Sequence, residues 1–215
     1  MRRYLGRIVA VGRTQAGHNA ALYRVSSRSF PNRQIVELAG GLAVVPRKGF
    51  ENDVYRNPYI AYHCVRLVGE RAVLTNGSHT DPIAEKLEAG ASPKDALALA
   101  MLALDYEKDH LKTPRIAAVV DMKSPTAWLA VVRHDALVVK EVALQAGEVT
   151  YLATYEANDI RAGQVVSITA AGPEDLARAA CDGPGFAEFE HPVTAAAVVA
   201  IDGRFVLGRY TVEAR

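Results

Sequence analysis

The chain has 215 residues, half of them apolar, enough to bury a substantial core as one large domain or two small ones. Its 25 basic and 24 acidic residues leave a net charge of +1, which provides no broad field for gripping a nucleic acid or a membrane surface. No run approaches the ~18 apolar residues of a membrane span and the start lacks the apolar run of a signal peptide, while Cys64 and Cys181 stand far apart without metal-ligand spacing, so a cytoplasmic protein is expected.

Residues 4–11 alternate apolar and polar side chains, and residues 20–25 repeat the pattern after a Gly-His-Asn turn, which predicts a hairpin. The second strand runs into Arg24-Val25-Ser26-Ser27-Arg28-Ser29-Phe30-Pro31-Asn32-Arg33. Tyr23 and Val25 alternate there with Arg24 and Ser26, so one face is apolar and the other polar, and Pro31 stops the pairing. Guanidinium forks beside serine hydroxyls form an anion site, because a fork pairs two donors with two phosphate or carboxylate oxygens. The plain alternative is an edge strand with solvated arginines.

Gly40-Gly41 introduces a short strand over residues 42–45, stopped by Pro46, and residues 50–58 read as loop. Residues 59–68 and 72–75 form a second hairpin across Gly69-Glu70, delivering Asn76-Gly77-Ser78-His79-Thr80-Asp81 at its end. Thr80 or Asp81 can cap a helix with Pro82 at its first position, ending at Gly90. Ser92 and Asp95 have capping spacing for a second helix. Residues 96–104 are apolar on every face, which predicts burial on both sides, with the helix continuing through Asp105-Tyr106-Glu107-Lys108-Asp109-His110 before Pro114. Carboxylates in a last turn oppose the helix dipole by about 0.3–1 kcal/mol each, a broken local rule that hints at function unless the end is simply exposed.

Further strands are expected over residues 116–122, 127–132, 137–142, 151–155 and 165–169, then a short helix over residues 173–181. A last hairpin spans residues 194–201 and 205–210 across Asp202-Gly203. With no linker or internal repeat, residues 1–215 read as a single domain. Hairpins with helices grouped in the middle and near the end indicate a layered α+β fold of antiparallel sheets rather than a doubly wound one.

Three polar constellations are candidate walls of one pocket: the arginine stretch, the strand carrying Tyr62 with the Asn76 to Asp81 turn after it, and the acidic segment around Glu107. Tyr62 can donate to a developing oxyanion, a carboxylate such as Glu107 can move a proton, and an arginine can hold charge near either. Packing is the competing role for a strand tyrosine, and helix capping for the Asn76 to Asp81 turn. The six histidines lack ligand spacing, and no Walker loop, GxGxxG run or GxSxG elbow is present, which argues against a metal site and a nucleotide cofactor.

At these same residues the chain resembles the archaeal-type IMP cyclohydrolases, which close the second ring of the purine base. The resemblance is carried by YLGR at residues 4–7, RVSSRSFPNR at 24–33, RNPYIAYHC at 56–64, NGSHTDPIA at 76–84, LALDYEKDHLKTPRIAAVV at 102–120 and HPVTAAA at 191–197. It implies a four-layer αββα sandwich like that of the N-terminal-nucleophile hydrolases, a homo-oligomer, namely a tetramer, and no cofactor. The implied substrate is 5-formamidoimidazole-4-carboxamide ribonucleotide, which loses water to become IMP. The resemblance places the catalytic residues at Arg33, Tyr62 and Glu107; His63 follows Tyr62 where the family pattern has asparagine. Arg24, Ser26, Ser27 and Arg28 are then expected to hold the 5′-phosphate, with Asn76, Ser78, His79, Thr80 and Asp81 nearer the base or ribose. The hydrolase mechanism is not expected to carry over, because it needs a freed terminal Cys, Ser or Thr and the chain begins Met1-Arg2. Two other readings stay open: a hydrolase of small amides or formamides, and a non-catalytic nucleotide-binding module.

Overall fold

The computed structural model describes residues 3–213, so Met1 and Arg2, which bear on the terminal-nucleophile question, lie outside the described residues. Its strands are β1 (Ile8–Arg13), β2 (Asn19–Ser26), β3 (Arg33–Leu38), β4 (Gly41–Pro46), β5 (Tyr62–Val68), β6 (Arg71–Thr75) and β7 (Arg115–Asp121). They continue as β8 (Thr126–Val132), β9 (Leu137–Ala143), β10 (Glu148–Ala153), β11 (Val165–Ser167), β12 (Pro192–Ile201) and β13 (Arg204–Thr211). The helices are α1 (Asp53–Arg56), α2 (Thr80–Glu88), α3 (Pro93–Leu104) and α4 (Pro173–Asp182), with a 3-10 turn over Pro58–Ile60.

One sheet has six strands in the order β11-β10-β1-β2-β12-β13, and the other is a seven-stranded meander from β3 to β9 in chain order. Every named pair is antiparallel, as hairpin connections require. Period-2 alternation sends one side of each central strand into the layer between the sheets and the other side toward a helix layer. In β1, Val9 and Val11 enter the inter-sheet core with Tyr23, Tyr62 and Leu74. Ile8 and Ala10 instead pack with Leu22 against Leu176, Ala177 and Ala180 of α4. The outer face of the second sheet buries Val73, Ala117 and Ala130 beneath Ile83, Leu97 and Met101 of α2 and α3. The order of layers is therefore α4, sheet, sheet, α2 with α3, the expected αββα sandwich.

Several expectations change. Residues 33–38, given no element from the pattern, form β3; the stretch expected to be loop holds α1 and the 3-10 turn. Strand β2 has no solvated polar face, since all eight of its residues are buried. The α2 cap is His79, with no side-chain capping bond, and Thr80 is already the first helical residue. In α3 the Ser92 side chain accepts from the Asp95 N–H, as its spacing predicts. That helix is covered on one side only, for Leu99 and Leu102 are 54% and 68% exposed. It also stops at Leu104: Asp105 takes φ 54°, its N–H still bonded to the Met101 carbonyl, and the chain leaves the axis. The acidic residues therefore stand in a loop, and the helix-dipole conflict does not arise. Among the described residues no helix is long and apolar enough to cross a membrane.

Candidate active site

Arg7 directly precedes β1, Arg33 is the first residue of β3 and Tyr62 is the first of β5, so strand starts from both sheets supply the polar groups at one end of the sandwich. The loop after α3 completes the arrangement. It is folded back by the Glu107 N–H bonding the Thr113 carbonyl, and Asp109 accepts from both the N–H and the hydroxyl of Thr113. The Thr113 hydroxyl also meets the Tyr155 hydroxyl at 2.9 Å, tying the loop to the segment after β10. Glu107 thereby reaches the core end almost fully buried.

A cavity of about 130 Å³ lies there, and its walls include Arg7, Arg33, Glu107, Asp109, Ser27 and Tyr155. Arg7 Nη2 donates to Glu107 Oε2 at 3.2 Å. Of the Arg33 guanidinium, Nε donates to the Phe30 carbonyl, and among the described residues neither Nη group has a partner. Tyr62 is not among the lining residues; its hydroxyl lies 2.6 Å from that of Tyr23, and the charges of Arg33 and Arg7 act on its phenol. A larger cavity of about 530 Å³ lies on the far side of the Pro31-Asn32 turn, but it contains none of Arg33, Tyr62 and Glu107.

Burial governs the electrostatics, because a charge out of water is disfavoured unless paired. It pushes the Glu107 carboxyl above the usual carboxylate range, against the pull of Arg7 and Arg115. Burial also opposes charge on Arg7, but the Glu107 carboxylate and the surrounding tyrosines more than offset it, so Arg7 stays cationic. Arg33 is held below its ordinary range by burial, which the Tyr62 hydroxyl partly counters and Arg7 reinforces. Burial raises the Tyr62 phenol, and the charges of Arg33 and Arg7 draw it back. The Arg33, Arg7 and Tyr62 groups are thus electrostatically coupled around one space, with buried positive charge in excess of negative, a setting that favours an anion or a developing oxyanion.

The other sequence-predicted residues divide. Ser27 lines the cavity, its hydroxyl accepting from the Phe30 N–H. Arg28 is exposed and does not line the cavity; its guanidinium is 4.1 Å from the centre of the ring of Tyr4, a lining residue, and 3.0 Å from Glu190. Arg24 is a correction. The alternation that turns Tyr23 toward the inter-sheet layer turns Arg24 toward α4, where Nη1 donates to the Ala180 and Phe186 carbonyls, Nη2 to Phe189 and Glu190, and Nε to Ser26. Arg24 and Ser26 hold the end of α4 and cannot reach a phosphate. The Asn76 to Asp81 turn likewise lies behind the cavity rather than in it. Asn76 bonds the Pro114 carbonyl and the Ile116 N–H, while Thr80 bonds Thr75 and the His63 carbonyl. Asp81 pairs with His63 and Arg66 on the outside, Ser78 is exposed, and His79 donates to the Ile116 carbonyl. Arg7, Tyr23 and Arg115 carry no sequence pattern that marks them as site residues, although Arg7 and Arg115 lie inside the segments that carry the resemblance.

Comparison with known proteins supplies the remaining finding. A sequence model of a family described as IMP cyclohydrolase-like protein matches residues 4–204. A protein of Methanococcus maripaludis named IMP cyclohydrolase is 44% identical over 200 residues, covering 93% of this chain and 96% of its own. A protein of Halobacterium salinarum with the same name is 48% identical over 195 residues, 91% of each chain. Another from Methanocaldococcus jannaschii, again so named, is 42% identical over 200 residues, 93% of this chain and 94% of its own.

Proposed function

Because the chain belongs to the IMP cyclohydrolase family, we propose that it closes the pyrimidine ring of 5-formamidoimidazole-4-carboxamide ribonucleotide, giving IMP and water. The observation that carries this reading is the meeting of Arg33, Arg7 and Glu107 around one cavity, with the Tyr62 phenol under the charges of Arg33 and Arg7. Both reacting groups belong to one molecule, so the first task is to hold the carboxamide nitrogen against the formyl carbon in a near-attack rotamer.

As the C–N bond forms, the formyl oxygen gains negative charge, which Arg33 and Tyr62 stabilise, and the nitrogen sheds a proton that Glu107 accepts. Tyr62 gives its proton to that oxygen, making a hydroxyl. The hydroxyl leaves as water with the proton that Glu107 took, while the former formamide nitrogen gives up its hydrogen, which restores the Tyr62 phenol, and a C=N bond forms. Burial raises the Glu107 carboxyl, which makes it a stronger base than an exposed carboxylate and so suits it to taking a proton. A cavity of about 130 Å³ is smaller than the roughly 300–1,000 Å³ of ligand pockets. The reacting ring therefore occupies the interior and the 5′-phosphate lies toward Ser27 and the exposed Arg28. The family resemblance also implies a homo-oligomer, namely a tetramer, which native mass measurement tests.

The deciding experiment mixes purified protein with the formamido substrate, without added metal or cofactor, and follows the ultraviolet spectrum. Cyclisation yields purine absorbance with no released acid. A formamide or amide hydrolase releases formate or ammonia instead, and a binding module takes up IMP but leaves the substrate intact.

A further inference from the structure

Behind Glu107, on the side away from Arg7, buried polar atoms from separate elements converge on Gly77. A Cβ built at Gly77 would stand 2.9 Å from Arg115 Nη1, 3.4 Å from His79 Nδ1 and 3.5 Å from Glu107 Oε1. Among the described residues these same atoms are buried without a hydrogen-bond partner. The side chains of His79, Glu107 and Arg115 are 0%, 1% and 5% exposed, so bulk solvent does not satisfy them. Orphaned buried polar atoms cost roughly 1–3 kcal/mol each, and three around one point are an unusual concentration.

Their hydrogen-bonding senses are fixed by their other contacts. His79 Nε2 faces the Ile116 carbonyl at 2.9 Å, which can only accept, so the ring hydrogen is on Nε2 and Nδ1 presents a lone pair. Glu107 uses Oε2 toward Arg7, leaving Oε1 as an acceptor. Arg115 uses Nε toward the Asp105 carbonyl, leaving Nη1 as a donor. The three atoms thus offer one donor and two acceptors. A metal cation or ammonium cannot accept from Arg115, and a halide cannot donate to His79 or Glu107. A water molecule matches all three.

We propose that a single internal water binds over Gly77, accepting from Arg115 Nη1 and donating to His79 Nδ1 and Glu107 Oε1, and that it holds the Glu107 carboxylate in its working orientation. Gly77, His79 and Arg115 are then positioning residues, and glycine is needed at 77 because a side chain would crowd the water away from these three atoms. The consequence for rate rests on the reading of Glu107 as the proton-transfer group. Glu107 is also faced by Arg7 ahead of β1, Arg33 of β3, Arg115 of β7 and Asp109 of its own loop. Removing the water withdraws a hydrogen bond to the charged form, so the Glu107 titration moves up.

Two measurements test this. A crystal structure of the wild-type protein, at a resolution that orders internal waters, should show density within hydrogen-bond distance of Arg115 Nη1, His79 Nδ1 and Glu107 Oε1. Direct contact between Arg115 and Glu107 with nothing between them would overturn the proposal. Gly77→Ala should fold, because its nearest neighbour is the free end of a flexible side chain. We expect kcat to fall about 10- to 100-fold with KM nearly unchanged, and the acid limb of the kcat profile to move to higher pH. Wild-type kcat with an unmoved limb would also overturn it. Should the wild-type protein fail to form IMP, the functional reading falls, while the crystallographic density still decides the water.

Discussion

The hydroxyls of Tyr23 and Tyr62 meet at 2.6 Å in the layer between the two sheets, with the rings edge-on at 65°. Tyr23 is fully buried with its phenol raised well above the usual range by burial and by its partner, so it keeps its proton, and either hydroxyl can donate across the contact. With Tyr23 as the donor, the Tyr62 hydrogen is available to the substrate oxygen. Tyr23→Phe removes the donor but keeps the ring, so it should fold, with about 0.5–1.5 kcal/mol lost. The expected result is a lower kcat with little change in KM. Because the Tyr23 hydrogen bond draws the Tyr62 phenol down, its loss should move any alkaline limb assigned to Tyr62 upward. A pH–rate series on the variant checks both points.

Glu107→Gln keeps the size of a buried side chain and removes its capacity to exchange a proton. A loss of about 10²–10⁴ in kcat is expected, measured by purine absorbance. The wild-type acid limb should lie above the ordinary carboxylate range, because the buried carboxyl titrates high. Turnover close to wild type in the glutamine variant would remove Glu107 from the scheme.

Arg24 and Arg28 should separate cleanly. Arg24→Leu orphans the carbonyls that it now serves at the end of α4. A stability loss of about 3 kcal/mol or more is expected, roughly 6–12 °C in Tm for a chain of this length. Arg28→Ala leaves an exposed ion pair and a ring contact, so stability should change by less than about 1 kcal/mol while KM rises. Calorimetry with substrate titration distinguishes them, and an unchanged KM in Arg28→Ala would argue against phosphate contact.

His79 gives a pH dependence of stability. Burial first, and Arg115 second, lower its pKa from 6.5 to about 3, so the folded protein binds fewer protons there than the unfolded chain. This neutral histidine costs nothing above pH 6.5, and folded stability is lost as pH falls from there toward 3. At about pH 5 the loss is about 2 kcal/mol, from 1.36 kcal/mol per unit. Denaturant unfolding of wild type and His79→Gln between about pH 8 and 5 should show the variant lacking that part of the slope.

The hairpins, the α2 and α3 starts and the final helix were legible in the residues because alternation, caps and turn glycines act over a few positions. β3 was missed because Gln34 and Glu37 interrupt its apolar alternation, and the exposure of Leu99 and Leu102 because composition cannot say which side of a helix meets a sheet. Residue type made Arg24, Arg28 and Arg33 equal candidates for an anion. Only the packing of α4 against the first sheet separated them, committing Arg24 to helix carbonyls and leaving the Arg33 Nη groups toward the cavity. The partnership of Arg7 with Glu107 across 100 positions, and of Tyr23 with Tyr62 across 39, has no local signature. The chain by itself determined most of its strands, its family and the chemistry available to it. The meeting of two sheets decided which of those groups share one space, because proximity between distant segments is set by burial of their apolar faces and not by the polar residues that benefit from it.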